Sequence, residues 1–182
     1  TPLSQEGRAI WALHVSSEPE VIADRPKVVF IGQHHARELM THQAVLDTAR
    51  DLLSNAPSSP QYEKAIAEYS FWFVPIVNPD GLSYVFEHDR MWRKNRSLNN
   101  NSNYRGVDLN RNYEFKWGAC GSNSNSPGSN IYKGISSSSE PEVQTLDRLN
   151  ERLKAQLLIS YHSSGNEVLF PYVCGNMPEP EI

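Results

Sequence analysis

The sequence is short of cysteine and has neither a long apolar run nor an excess of basic residues. Its two cysteines form no Cys-x-x-Cys motif, which disfavours a thiolate zinc site and a thioredoxin-type redox site. No apolar run approaches the roughly 20 residues of a membrane span, and no signal peptide is visible at Thr1. The net charge of −4 lacks the basic footprint of a nucleic-acid-binding protein. We therefore predict neither a membrane partner nor a nucleic-acid partner.

The composition that is present, with 38% hydrophobic and 21% charged residues over 182 positions, is typical of one globular domain. Apolar periodicity predicts strands at 27–31, 71–77, 156–161 and 168–170, and helices at 37–53, 61–68 and 140–153. Residues 78–81 predict a turn, and Ser139 or a nearby serine predicts the cap of the last helix. This alternation predicts an α/β fold with a largely buried sheet, in which ligands bind at the carboxyl ends of strands.

Two polar segments that follow predicted strands carry the residue types of a metal site. His35 and Glu38 come after the first strand, and His162 lies at the end of the strand at 156–161. A catalytic zinc takes three His, Asp or Glu ligands and a water. His42 is a rival third ligand, because positions 35, 38 and 42 can share one helix face. Three further histidines have no partner at ligand spacing and are interpreted as structural or solvent-facing: His14, His34 and His88.

Two arginine-containing segments, 90–96 and 108–112, indicate an anion site. Arginine is suited to bidentate carboxylate recognition, and asparagine adds directed donors. A substrate with a free carboxylate would explain both segments beside a metal. The alternative for the first segment is a solvated charge run packed by Trp92.

Together these segments resemble the zinc metallocarboxypeptidases of the carboxypeptidase A/B type. Five motifs occur in the order of that family: His35-Ala36-Arg37-Glu38, Asn78-Pro79-Asp80-Gly81, Arg90-Met91-Trp92-Arg93-Lys94, Asp108-Leu109-Asn110-Arg111-Asn112 and Tyr161-His162-Ser163. One such motif is weak, but five in order are specific. The resemblance implies a mixed, mostly buried central sheet flanked by helices. It also implies a zinc-dependent enzyme that hydrolyses the C-terminal peptide bond of peptides or proteins.

The resemblance implies a role for each matching residue. The three ligands of one zinc ion would be His35, Glu38 and His162. The substrate-binding residues would be Arg37, Arg93, Asn110, Arg111 and Ser163. Within that set, Asn110 and Arg111 resemble the pair that binds the C-terminal carboxylate. Arg93 resembles the catalytic residue that polarises the scissile carbonyl and stabilises the oxyanion.

The sequence also departs from the family. The general-base glutamate of relatives lies on a strand well after the third zinc ligand, and this chain reaches only Ile182. An N-terminal helix precedes the segment at Gly7 in relatives. Ser164 stands where the family commonly has a tyrosine. We therefore expect residues 1–182 to be a single partial catalytic domain, incomplete at both ends, with little activity alone because a missing base costs about 10²–10⁴ in rate.

Three functions stay open at this point. The first is a zinc carboxypeptidase, and the second is a non-catalytic member or inert fragment that binds zinc or peptide C-termini. The third is an amidase acting on cell-wall peptides or acylated amino acids, which Arg93 and the Asn110-Arg111 pair disfavour. The family suggests a monomer that is secreted or periplasmic. Pairing of Cys120 with Cys174 is left open by the sequence.

Overall fold

Four strands form one mixed sheet in the computed structural model, which describes residues 2–19, 25–99 and 103–170. The strands are β1 (Leu13–Val15), β2 (Lys27–Ile31), β3 (Ser70–Val74) and β4 (Leu157–Ser160), in the order β1-β3-β2-β4. β2 runs parallel to β3 and β4, and β1 is antiparallel to β3. The helices are α1 (Met40–Asn55), α2 (Pro60–Glu68), α3 (Pro79–Glu87) and α4 (Pro141–Leu153). The predicted α/β fold is confirmed.

The two faces of β2 pack into separate hydrophobic clusters, because successive strand side chains point to opposite faces. Val29 and Ile31 lie in one cluster with residues of α4, such as Val143. Phe30 faces the other side, where its ring stacks on Phe73 with centroids 5.1 Å apart, beside α1 and α2. A one-residue slip of β2 would exchange these two sets, so the packing fixes its register.

The segment predicted as a turn after β3 instead begins a helix. Asn78 is fully buried at the N-terminus of α3, and its side-chain oxygen accepts a hydrogen bond from the Gly81 N–H at 2.9 Å. Pro79 occupies the first helical position, where its missing N–H costs nothing. An Asn-Pro pair of this kind is typical of a capped helix start as well as of a turn.

Several predicted boundaries also differ from the structure. α1 begins at Met40 rather than at residue 37, β3 ends at Val74 rather than at residue 77, and β1 was not predicted. Residues 168–170 form no strand, and their apolar side chains are exposed. The serine cap of α4 was wrong, since the N-cap is Glu140 and makes no side-chain capping bond. None of the helices within the described ranges is long and apolar enough to cross a membrane.

The topology brings three strand ends to one edge of the sheet. Parallel strands place their carboxyl ends together, so the segments that follow β2, β3 and β4 meet at this edge. His35 lies just beyond β2 and His162 just beyond β4. The Asn78 side chain, beyond β3, donates hydrogen bonds to the carbonyls of His34 and Lys94, each at 3.1 Å. The edge therefore joins the segments that carry the predicted site residues.

Candidate metal centre

His35, Glu38 and His162 converge at this edge, and we call them the His-Glu-His site. One ligand atom from each lies within 4.8 Å of the others. The Nδ1 of His35 is 2.7 Å from Glu38 Oε1, and the Nδ1 of His162 is 3.1 Å from Glu38 Oε2. The two Nδ1 atoms are 3.2 Å apart. The fold thus presents three metal-ligand atoms to one point, although Glu38 and His162 are 124 positions apart in the chain.

A tight turn between β2 and α1 presents the first two of these side chains. Gln33 adopts a left-handed backbone with φ of 57°. Its N–H donates to Thr41 Oγ1 at 2.9 Å, and its side-chain amide donates to the Ala36 carbonyl at 2.7 Å. His42 Nδ1 lies 2.8 Å from Gln33 Oε1, so this histidine supports the turn. The rival ligand set through His42 is therefore not the one that the fold assembles.

Asp108 supports the site from behind, a role that the sequence reasoning missed. This fully buried carboxylate lies just before a short 3₁₀ turn, and its Oδ1 is 3.1 Å from Nε2 of His35. Arg93 donates to Asp108 Oδ2 from Nε at 3.1 Å and from Nη2 at 3.0 Å. Metal-ligating histidines commonly donate their second ring N–H to a carboxylate. The need of a ligating histidine for such a carboxylate was the signal that could have identified Asp108 in the segment 108–112.

Hydrogen bonding in the site favours ionised carboxylates. Burial opposes ionisation of Glu38, but hydrogen bonds from His162, His35 and the Ser163 N–H outweigh it and lower the pKa of the carboxyl. Burial likewise opposes ionisation of Asp108, and the hydrogen bond and charge of His35 with the charge of Arg93 lower its pKa. The pKa of His35 is raised, because its two carboxylate partners outweigh the effect of burial. The site attracts positive charge.

The residues present fit a zinc ion. Two imidazole nitrogens and one carboxylate form a donor set that zinc takes in catalytic sites, where a fourth position stays open. The other ring nitrogen of His35 is already held by Asp108. The side chain of His162 is 32% exposed, whereas those of His35 and Glu38 are 4% and 7% exposed, so the site opens on the His162 side.

A second set of polar side chains lies behind His162. Ser160 Oγ is 3.1 Å from His162 Nε2 and 3.4 Å from His34 Nδ1, and His34 Nε2 is 2.6 Å from the hydroxyl of Tyr113. Burial, with the charges of His162 and His35, lowers the pKa of His34 to about 3 and keeps this ring neutral. Burial and the charge of Asp147 raise the pKa of Tyr113, so its hydroxyl stays protonated.

Three predicted substrate residues lie on the segments that carry the His-Glu-His site or contact it. Arg93 places Nη1 3.7 Å from Glu38 Oε1, and its side chain is 14% exposed. Arg37 is held by a 3.3 Å hydrogen bond from Nη1 to the Met91 carbonyl. The Ser163 N–H donates to Glu38 Oε2 at 3.1 Å, while the residue itself is exposed. The structure thus brings Arg93 and Ser163 into contact with Glu38, whereas the Arg37 side chain contacts the segment at Met91.

The predicted carboxylate-binding pair lies on the 3₁₀ turn that follows Asp108. Arg111 donates from Nε to the Ser122 carbonyl at 2.6 Å and from Nη1 to the Asn110 carbonyl at 2.9 Å. Within the described residues its Nη2 has no hydrogen-bond partner. Both residues line a cavity of about 480 Å³ whose wall includes Tyr113 and Trp117. A fixed guanidinium therefore faces an open space large enough for a side chain and a carboxylate.

Cys120 also lines this cavity and is disulfide-bonded. Cys174, which the sequence left as a candidate partner, lies outside the described residues.

Comparison with known proteins gives consistent matches. A family model described as "Zinc carboxypeptidase" matches residues 3–180. Carboxypeptidase B of Helicoverpa zea is 37% identical over 174 residues, covering 93% of this chain and 39% of that protein. The crystal structure of carboxypeptidase A from Helicoverpa armigera superimposes with a TM-score of 0.87 at 32% identity, covering 97% of this chain and 43% of that chain.

A further relative carries a different functional description. "Inactive metallocarboxypeptidase ecm14" of Sclerotinia sclerotiorum is 31% identical over 186 residues, covering 98% of this chain and 31% of that protein. The chain spans about two fifths or less of the length of the relatives it matches.

Proposed function

This chain belongs to the zinc carboxypeptidase family, and we propose that it binds one zinc ion through His35, Glu38 and His162 and acts in hydrolysis of C-terminal peptide bonds. The proposal rests on the convergence of their three ligand atoms within 4.8 Å. The substrate would be the C-terminus of a peptide or protein. We also propose that residues 1–182 belong to a single catalytic domain, which a family model that matches residues 3–180 supports. Secretion and a monomeric state stay predictions from the resemblance.

Arg93 is the catalytic residue of the proposal. When bound, zinc supplies a Lewis acid and lowers the pKa of a coordinated water to about 7. Asp108 accepts two of the Arg93 donors, which leaves Nη1 directed towards the His-Glu-His site. A guanidinium fixed in this way stabilises negative charge as it develops on the scissile carbonyl oxygen, without reorganising during the reaction. Asp108 therefore orients both a metal ligand and the charge-stabilising group.

Arg111 and Asn110 would select a free C-terminus. Two carbonyl oxygens hold the Arg111 guanidinium, while Nη2 faces no partner among the described residues. Arginine binds carboxylates through directed, charge-assisted hydrogen bonds, so a substrate carboxylate suits this position. Arg37 and the segment at Ser163 would contact the same substrate nearer the proposed zinc site. These contacts support an exopeptidase rather than an enzyme that cleaves within a chain.

A second candidate is a non-catalytic member that binds zinc or peptide C-termini. The similarity to a relative named as inactive is consistent with this candidate without favouring it over the first. Both candidates require the same ligand and carboxylate residues, so they differ only in hydrolysis. Release of the C-terminal amino acid by the intact, zinc-loaded protein would establish the first candidate. Tight zinc and peptide binding without release would establish the second.

Metal analysis of two histidine variants tests the ligand set. We expect His162→Ala to lose the stoichiometric zinc of the intact protein, because it deletes one of three ligands. His42→Ala should retain zinc, because His42 contacts Gln33 and not the His-Glu-His site. Elemental analysis after dialysis measures the ratio of zinc to protein. Zinc retained in the first variant and lost in the second would reverse the assignment.

Substrate kinetics test the carboxylate site. Hydrogen bonds to charged groups contribute about 1.5–3 kcal/mol, so Arg111→Ala should raise KM for a peptide about 10- to 100-fold. The same variant should change KM for the C-terminally amidated peptide little. Arg90→Ala, which removes an exposed cation outside the cavity, is the matched control and should leave both values unchanged. Equal effects of Arg111→Ala on the two peptides would refute the role of this guanidinium. If the protein only binds peptides, Kd replaces KM in the same comparison.

A further inference from the structure

His162 and His35 are supported in different ways. The Nε2 of His35 lies 3.1 Å from the buried carboxylate of Asp108. The Nε2 of His162 faces no carboxylate among its hydrogen-bond partners and instead lies 3.1 Å from the hydroxyl of Ser160. The His162 side chain is also about a third exposed, so packing restrains it less than it restrains His35. The orientation of His162 therefore depends more strongly on this one hydrogen bond.

The hydrogen-bond directions along Ser160, His34 and Tyr113 follow from the donor inventory. The Nδ1 of His162 faces Glu38 and His35, so a ligating ring must keep its Nδ1 lone pair free and carry its proton on Nε2. That Nε2–H donates to Ser160 Oγ. The Ser160 hydroxyl can then donate to Nδ1 of His34 across 3.4 Å, with the Nε2–H of His34 directed at the Tyr113 oxygen across 2.6 Å.

Each member of this chain of hydrogen bonds is held by a different part of the fold. Ser160 ends β4, His34 lies in the turn after β2 and is 2% exposed, and Tyr113 follows the 3₁₀ turn. The His34 ring also stacks against His162, with centroids 5.6 Å apart and planes inclined by 23°. These hydrogen bonds therefore link the partly exposed ring of His162 to Ser160, His34 and Tyr113, which lie on three separate segments of the fold.

We propose that Ser160, His34 and Tyr113 are positioning residues that fix the ring orientation and the tautomer of His162 for zinc binding. The inference rests on the proposed function, since it assigns His162 as a ligand. It adds a second support to the site, built from neutral groups, beside the carboxylate that orients His35. Outer partners of metal ligands typically change metal affinity 10- to 100-fold when they are removed. Ser160, as the direct partner, should have the larger effect, and Tyr113 the smaller one.

The test measures the zinc dissociation constant of the intact protein by competition with a chromophoric chelator. Ser160→Ala should weaken zinc binding about 10- to 100-fold, and Ser160→Thr, which keeps a hydroxyl, should restore it. Tyr113→Phe deletes only the far hydroxyl and should weaken binding in the same direction by less. With Co²⁺ in place of zinc, the visible absorption spectrum of Ser160→Ala should shift, since ligand orientation changes. A purely structural role would lower the unfolding temperature without moving this spectrum.

Tyr161→Phe is the matched control. It deletes a hydroxyl from the neighbour of His162, but that hydroxyl contacts Thr48 at 3.1 Å and lies outside the chain of hydrogen bonds. Wild-type zinc affinity in Ser160→Ala and Tyr113→Phe would overturn the inference, and so would an equal loss in Tyr161→Phe. The proposed function would still stand in either case, because its own test is the loss of zinc in His162→Ala. Absence of stoichiometric zinc in the wild-type protein would overturn the proposed function, and the inference with it.

Discussion

Two of the places where the described residues bury carboxylates differ in the partners that surround the negative charge. One is the His-Glu-His site with its support, where Glu38 and Asp108 are 6% and 0% exposed. The other, the Asn95 cluster, consists of Asn95, Glu140 and Glu142, which are 0%, 3% and 0% exposed. A buried charge is costly unless it is paired. The partners of each carboxylate therefore determine what each cluster can do.

In the His-Glu-His site, the partners of the carboxylates are one guanidinium and two imidazole rings. Arg93 and His35 contact Asp108, and both histidines contact Glu38. The pKa values of Glu38 and Asp108 are lowered as a result, although burial alone would raise them. This arrangement holds negative charge in place at a site that is partly open at His162. A metal cation that displaces the protons on the Nδ1 atoms of the two histidines fits this arrangement.

In the Asn95 cluster, two carboxylates share one neutral amide. The Asn95 Nδ2 donates to Glu140 at 2.7 Å and to Glu142 at 3.2 Å, and the Gln5 N–H donates to Glu142 at 3.0 Å. Burial and, more weakly, the charge of Glu140 raise the pKa of Glu142 to about 7, against the effect of these hydrogen bonds. The cluster ties the N-terminal segment and the segment after α3 to α4. The cluster has a structural role, and Glu142 remains partly protonated near neutral pH.

The comparison predicts that removing charge from the first cluster changes metal affinity most. In Asp108→Asn, the amide oxygen can still accept from His35, but the amide nitrogen faces the donors of Arg93. Zinc affinity of the intact protein should fall about 10- to 100-fold, the usual effect of an outer partner of a ligating histidine. Chelator competition measures the dissociation constant.

Asp80→Asn is the matched control for that substitution. Asp80 is also fully buried and also pairs with an arginine, since Arg8 Nη1 lies 2.9 Å from it. Its position is outside the His-Glu-His site, so the variant should lose stability while its zinc affinity stays unchanged. An equal loss of zinc affinity in both variants would show that general destabilisation, and not the orientation of His35, explains the effect.

Much of the site could be predicted because its chemistry is local in the sequence. His35 and Glu38 share one turn, and His162 directly follows an apolar strand, so residue type and strand position made them candidates. The resemblance to a family then selected this set over the rival set with His42. Asp108 could not be found in this way, because its partner His35 lies 73 positions away and only the sheet topology joins them. Without that resemblance, the competing ligand His42 was separable only by its contact with Gln33.

The secondary-structure predictions were wrong where a local sequence pattern is compatible with more than one structure. Asn-Pro-Asp-Gly is typical of a turn, yet Asn78 caps α3, because its buried side chain also bridges the carbonyls of His34 and Lys94. Val168 to Phe170 have strand-forming residue types but no neighbouring strand with which to pair in the described residues. β1 has only three residues, too few for a periodic signal. Whether such short segments form strands or helices depends on contacts with residues far away in the sequence.

A smaller effect is expected from neutralising Glu142 in the Asn95 cluster, and it should concern only the free energy of unfolding. Glu142 has a folded pKa of about 7 and an ordinary value of 4.5, so the folded state binds its proton more tightly between these pH values. Stability from this group is therefore complete below about pH 4.5 and is lost as the pH rises through 7. We expect Glu142→Gln, which stays neutral, to remove this loss, roughly 1–2 kcal/mol between pH 5 and pH 7.

Urea unfolding of the wild type and Glu142→Gln across this pH range measures the difference in slope. Glu151→Gln is the matched control, because Glu151 is an exposed carboxylate on the same helix and its neutralisation should leave the slope unchanged. Zinc affinity should be the same in all three proteins, since neither glutamate contacts the His-Glu-His site. A wild-type slope retained in Glu142→Gln would show that both clusters hold their carboxylates ionised. The His-Glu-His site and the Asn95 cluster would then differ in solvent exposure and in the presence of metal ligands, and not in the ionisation of their carboxylates.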